Sequence, residues 1–155
     1  MQKYVINASP IISLSKAGLS NILDSLDFYI PRDVFEEIQN DKYADEAKQF
    51  VQKNKNKLIQ NYTISDDLFN WGLGKGETSV IASAIQDKDL IAILDDGKAR
   101  KCAKLYNIQI TGTIGLIFIA KELGLIVDLN ESIYLLKREG LYLSEKLIQS
   151  IIQNE

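Results

Sequence analysis

Gly74-Lys75-Gly76-Glu77-Thr78-Ser79-Val80-Ile81-Ala82-Ser83-Ala84-Ile85-Gln86, followed across Asp87-Lys88-Asp89 by Leu90-Ile91-Ala92-Ile93-Leu94-Asp95-Asp96-Gly97-Lys98-Ala99-Arg100, decides how the rest of the chain is read. In its first half Val80, Ile81, Ala84 and Ile85 share one face of a helix turning by about 100° per residue. Glu77 lies near the middle of that face, one turn earlier. A carboxylate on an apolar stripe is costly unless it is paired, protonated or bound to a metal. The second half, Leu90 to Leu94, is apolar throughout, as in a strand covered on both faces. It stops at Asp95-Asp96, and Gly97 opens the next helix with Asp96 as its expected N-cap.

Outward from this unit, short apolar strands alternate with helices. Tyr4-Val5-Ile6 is a strand ending at Asn7, and Ser9-Pro10 predicts a helix with Ser9 as N-cap and Pro10 in its first position. A helix over Ser20 to Leu26 leads to a strand at Phe28 to Ile30. Pro31 then admits a helix to about Gln39, with Val34, Phe35 and Ile38 inward and Glu37 at the border of that face. Asp41 to Asn54 predicts a helix, Leu58 to Ile64 a short strand, and Asp66 to Trp71 a helical turn. After the Gly97 helix come a strand at Ile108 to Ile110, a helix opened by Thr111-Gly112-Thr113 and ending near Leu123, and helices over Asn130 to Glu139 and from Ser144 onward. The pattern predicts a single α/β domain over 1–155 with a mostly parallel central sheet, on which the C-terminal helices (about 128–155) pack. In such a sheet ligands bind beyond the carboxyl ends of the strands. Those ends carry Asn7, Asp95 with Asp96, and Thr111 with Thr113, and Glu77 stands in the first turn of the helix leading into the Asp95 strand.

Composition narrows the chemistry. The chain has 155 residues, 46% of them hydrophobic, enough for one real core. Eighteen Lys and Arg against 21 Asp and Glu give a formal charge of −3, so no global basic field is present. With no histidine, His-based acid–base catalysis, Ser-His-Asp and Cys-His systems and His-ligated zinc are excluded. Cys102 is the only cysteine; it reads as a packed thiol and suits a reducing compartment. Neither end reads as an address and no apolar run approaches the roughly 20 residues of a membrane helix, so a cytoplasmic protein without membrane attachment is expected. Gly72-x-Gly74-x-Gly76 lacks the spacing of a dinucleotide fingerprint, and Lys75 is followed by Gly76 where a Walker motif has Ser or Thr.

Several stretches in order resemble the PIN domain: Val5-Ile6-Asn7-Ala8-Ser9-Pro10-Ile11-Ile12, Ile30-Pro31 to Glu37, Gly74-Lys75-Gly76-Glu77, Leu94 to Arg100, Thr111-Gly112-Thr113-Ile114-Gly115, and Ala120 to Gly124. The resemblance is to the uncharacterised PIN-like proteins close to the toxins of VapBC type toxin–antitoxin modules. It implies a three-layer α/β/α fold and a metal-dependent ribonuclease that hydrolyses RNA phosphodiesters, the toxin of such a pair. The family's first acid falls on Asn7, the second on Glu37, the third on Glu77 and the fourth on Asp95, with Asp96 assisting or substituting. Asn7 departs from the aspartate of many active members. The alternative is therefore a catalytically silent module that binds RNA or a protein partner.

Two carboxylates about 4 Å apart repel by roughly 4 kcal/mol at an effective dielectric near 20. A cluster of them therefore calls for Mg²⁺ or Mn²⁺, hard cations that prefer oxygen ligands. On this reading Glu77, Asp95, Asp96, Glu37 and Asn7 hold the metal, and Lys75, Lys98, Arg100 and Lys101 contact nucleic acid. Ser9, Thr111 and Thr113 support the site. The implied partners are RNA, a small antitoxin protein and a second copy in a homodimer.

Overall fold

β1 (Lys3–Ile6) is the middle strand of a five-stranded sheet in a computed structural model that describes residues 2–140. β2 (Asp27–Pro31) pairs with one edge of β1 and β4 (Leu90–Ile93) with the other. β3 (Leu58–Ile59) and β5 (Ile110–Thr111) complete the order β3-β2-β1-β4-β5, and every pairing is parallel. The expected "mostly parallel" sheet is thus wholly parallel among the described residues. Its register places Ile6 beside Ile93, and the ladder continues as the Asn7 N–H donates to the Ile93 carbonyl at 3.2 Å.

This order has one consequence for function. The chain winds from β1 outward through β2 to β3, then returns to the far side of β1 as β4. The direction reverses between β1 and β4, and a crevice opens beyond the carboxyl ends of two such strands. Asn7 and the Asp95-Asp96 pair stand at those two ends.

Helices cover both faces in a three-layer α/β/α arrangement. On the chain between β1 and β3 lie α1 (Ala8–Lys16), α2 (Asn21–Asp24), α3 (Arg32–Gln39) and α4 (Asp45–Lys53), the last followed by a 3₁₀ turn at Lys55–Lys57. Next come α5 (Asp66–Phe69), α6 (Lys75–Gln86), α7 (Gly97–Leu105), α8 (Thr113–Glu122) and α9 (Leu129–Arg138). The helix expected from Ser144 lies outside the described residues.

α6 packs on β1, β2 and β4 and against α3. Its buried side chains are nearly all small: Gly76, Thr78, Ser79, Ala82, Ser83 and Ala84, with Val80 and Ile81. Small residues let its backbone approach the sheet. Its buried hydroxyls turn back onto carbonyls of the preceding turn, Ser79 to Gly76 at 2.6 Å and Ser83 to Ser79 at 2.8 Å, so none is left unpaired. The core gathers Ile6, Ile11, Leu14, Phe28, Ile30, Ile38, Ile81, Ile93 and Leu94.

Three local expectations are corrected. Ser9 is not an N-cap: α1 begins at Ala8 with Asn7 in the capping position, because proline is tolerated anywhere in a first turn. The cap of α8 is Gly112, so neither Thr111 nor Thr113 caps it. The expected helix from Asp41 starts only at Asp45.

Candidate active site

A cleft of about 370 Å³ opens at the β1/β4 switch point, lined by Asn7, Ser9, Glu37, Asp41, Glu77 and Asp96 together with Ala8 and Ile12. Four elements build it: the β1–α1 junction, the end of α3, the first turn of α6 and the start of α7.

Asn7 sits where a capping side chain normally accepts from the second or third helical N–H. The third helical residue is Pro10, which has no N–H to give. The Asn7 side chain makes no capping bond; its Oδ1 is buried and has no partner. A buried polar atom without a partner is rare and costs of order 1–3 kcal/mol; Ser15 Oγ and Gln39 Nε2 share that state among the described residues, but only the Asn7 oxygen belongs to a residue lining this cleft.

Glu37 reaches the same spot from α3. A side chain added at Gly76 would meet Glu37 Oε2 at 2.8 Å and Asn7 Oδ1 at 3.0 Å. Both oxygens therefore close on the backbone of the second residue of α6, an approach that only glycine allows. The Glu37 residue as a whole is exposed, but its carboxylate end is tucked against buried Gly76. Its carboxyl is held above the usual glutamate range, first by desolvation, then by repulsion from Glu77 and Asp41. Glu77 is half-buried at the free end of the apolar stripe, and one oxygen accepts from the Gly74 N–H at 3.3 Å. Desolvation and then the charge of Asp96 raise its carboxyl as well, partly offset by that hydrogen bond.

The two aspartates after β4 part company. Asp96 caps α7, accepting from the Ala99 N–H at 3.0 Å, and lines the cleft. Asp95 accepts from the Thr113 N–H at 2.8 Å and from the Thr113 hydroxyl at 2.5 Å. It is not among the residues lining the cleft.

A family model described as a PIN domain matches residues 3–155. The chain belongs to the PIN-domain family. None of the curated proteins matches it. The family is one of nuclease-type domains that generally depend on divalent metal and commonly bind RNA.

Asn7, Glu37, Glu77 and Asp96, all expected as site residues, line the same cleft. Asp41 was not anticipated. It follows the end of α3, just past the C-cap Asn40, so no helical spacing from Glu37 could have pointed to it. Gly76 was also missed, although a glycine in a first helical turn costs of order 1 kcal/mol in propensity and asks for a reason.

Of the expected basic contacts, Lys75, Lys98 and Lys101 are exposed, whereas Arg100 donates to the Leu94 carbonyl at 2.9 Å and lies beside Gly112. Ser9 lines the cleft, and Thr111 packs its hydroxyl against Gly115.

Among the described residues no three acidic or cysteine side chains close on a single point. The fit to a metal therefore rests on donor chemistry: a buried amide oxygen without a partner, and carboxylates whose charge is disfavoured where they stand. All are oxygen donors, the preference of Mg²⁺ and Mn²⁺. No described helix is long and apolar enough to cross a membrane.

Proposed function

We propose that this PIN domain is a metal-dependent ribonuclease that hydrolyses RNA phosphodiesters, and that it is the toxin of a toxin–antitoxin pair. The observation that supports the reading most is the unpartnered Oδ1 of Asn7, converging with Glu37 on Gly76 in a cleft also walled by Glu77 and Asp96. Asn7, Glu37, Glu77 and Asp96 would hold Mg²⁺ or Mn²⁺. The ion, when bound, supplies acidification of water and neutralisation of charge on phosphoryl oxygen.

The chain's own residues do the rest. Glu37 and Glu77 would offset the charge of the ion, and the proton released by the attacking water passes to solvent. A bond forms from the water oxygen to phosphorus, the bond from phosphorus to the leaving ribose oxygen breaks, and that oxygen leaves with a proton from solvent. Asp95, clamped by Thr113, holds the β4 end so that Asp96 faces the cleft. Lys75, Lys98 and Lys101 attract the strand.

RNA cleavage in Mn²⁺ tests the enzyme: wild type is expected to cut, and Glu77→Gln to abolish cutting. Growth arrest on expression, relieved by the product of a small neighbouring gene, tests the toxin. One observation favours a second reading. The first-strand donor is the neutral Asn7, which weakens metal binding and fits a silent module binding RNA or a protein partner. Absence of metal-dependent cleavage by wild type and by Asn7→Asp would establish that reading.

A further inference from the structure

Phe69 is 72% exposed, although the residues around it on α5 and the following loop are anchored. Leu68 is fully buried, and Trp71 and Leu73 pack partly buried against the core. A lone exposed apolar residue needs no explanation in general; the surroundings of this one do. The Gly72 N–H donates to the Phe69 carbonyl at 3.1 Å, closing a turn in which Gly72 takes φ +68°. Over that turn lies the ammonium of Lys98, which a side chain at Gly72 would meet at 3.7 Å. Two residues on, the Gly74 N–H is held by the Glu77 carboxylate, itself a wall of the acid cleft. An exposed aromatic ring, a glycine turn, an exposed cation and the cleft thus follow one another along a short, tethered stretch.

Resting on the ribonuclease reading above, we propose that Phe69 and Lys98 form a platform that selects unpaired RNA and leads it into the cleft. Phe69 stacks on a base and Lys98 contacts the neighbouring phosphate. Stacking on an aromatic face is available only to bases freed from a duplex, and it tolerates sequence. Lys75, at the first position of α6, and Lys101, one helical turn beyond Lys98, extend the positive rim. The anchoring of Leu68, Trp71 and Leu73 holds the backbone that carries the ring, which lowers the ordering cost of binding.

The test separates binding from cleavage. Fluorescence anisotropy is measured without metal on wild type, Phe69→Ala, Phe69→Trp and Lys98→Gln, using a labelled single-stranded RNA and the same RNA annealed to its complement. Cleavage of both RNAs in Mn²⁺ is measured in parallel. Wild type is expected to prefer the single strand. Phe69→Ala should weaken single-strand binding by about tenfold or more with an unchanged salt dependence, and Phe69→Trp should retain it. Lys98→Gln should instead flatten the slope of log affinity against log salt by about 0.7. Binding with this pattern but no cleavage leaves the platform standing and removes the ribonuclease. Cleavage with equal affinity for both RNAs and no effect of Phe69→Ala removes the platform and leaves the ribonuclease. No RNA binding at all overturns the platform and leaves Phe69 as a contact for a protein partner.

Discussion

Asp95 commits both carboxylate oxygens to Thr113, one to its backbone N–H at 2.8 Å and one to its hydroxyl at 2.5 Å. The pair ties the carboxyl end of β4 to the first residue of α8, and Arg100 adds a bond from α7 to the Leu94 carbonyl. A side chain on Gly112 would meet both Asp95 and Arg100, so the two side chains close on the backbone there. Asp95 is thus engaged with Thr113, while the neighbouring Asp96 lines the cleft.

The two aspartates should respond differently to substitution. Asp95→Ala leaves the buried Thr113 without its acceptor and is expected to cost about 1–3 kcal/mol of stability. For a domain of this size that is a fall of roughly 2–4 °C in Tm per kcal/mol. Asp96→Asn keeps a good N-cap and should leave Tm nearly unchanged while weakening Mn²⁺ binding. Thermal denaturation and calorimetry on the two variants check this. Loss of Mn²⁺ binding in a stable Asp95→Asn protein, with none in Asp96→Asn, would reverse the assignment.

That division marks the limit of what the sequence reveals. The strands, the parallel sheet and the meeting of Asn7, Glu37 and Glu77 are legible because apolar runs end abruptly in polar residues and Glu77 interrupts an apolar stripe. The choice between Asp95 and Asp96 is not, because it depends on Thr113, a partner from another element. Asn7 as helix cap, in place of Ser9, depends on where the β1 ladder lets go of the chain. The need for glycine at position 76 arises only when α3 and β1 bring two oxygens to one point of α6.

Gly76→Ala tests that close approach. Alanine favours the helix by about 1 kcal/mol, yet its methyl would sit 2.8 Å from Glu37 Oε2 and 3.0 Å from Asn7 Oδ1. Glu37 is on an exposed residue and can swing out, whereas Asn7 is buried and can move less. The crowding of Asn7 is expected to offset the helix gain, so Tm should not rise, while Mn²⁺ affinity falls about tenfold or more because Glu37 is displaced and Asn7 crowded. Unchanged metal affinity in calorimetry would show that neither oxygen is a ligand.

The raised carboxyls of Glu37 and Glu77 predict how the metal-free protein responds to pH. An acid whose folded pKa is raised holds its proton longer in the folded state than in the unfolded one. Between the ordinary glutamate value of 4.5 and the raised folded value, the folded state binds more protons, so stability falls as pH rises through that window. The metal-free Tm should therefore drop as pH rises above 4.5 through the raised folded values. Glu77→Gln removes one such charge, its amide oxygen still accepts from Gly74, and it should flatten the profile and raise Tm at neutral pH. Mn²⁺ should do the same for wild type only. Asp87, whose carboxyl is lowered by its 2.9 Å contact with Lys3, acts in a separate window below 3.8, where acid removes stability. A Tm that rises steadily as pH increases above 4.5 in metal-free wild type would contradict the crowding of the cleft acids.

Asn7→Asp gives the sharpest test, because one added charge has opposite effects with and without metal. Position 7 is 6% exposed and its side-chain oxygen has no partner, so an ionised aspartate there meets Glu37 across Gly76 with nothing to offset it. Without metal the variant should lose stability, by roughly 5 °C in Tm or more, and the loss should shrink as acid protonates the new carboxyl. With Mn²⁺ the same carboxylate becomes a charged ligand, so affinity should rise above wild type and the Tm deficit should close by mass action. RNA cleavage should rise in step, and Glu77→Gln should abolish it in both backgrounds. A variant destabilised at every Mn²⁺ concentration, with no gain in affinity, would mean that the oxygen of Asn7 points at no metal. The same protein cleaving RNA despite Glu77→Gln would place the chemistry elsewhere.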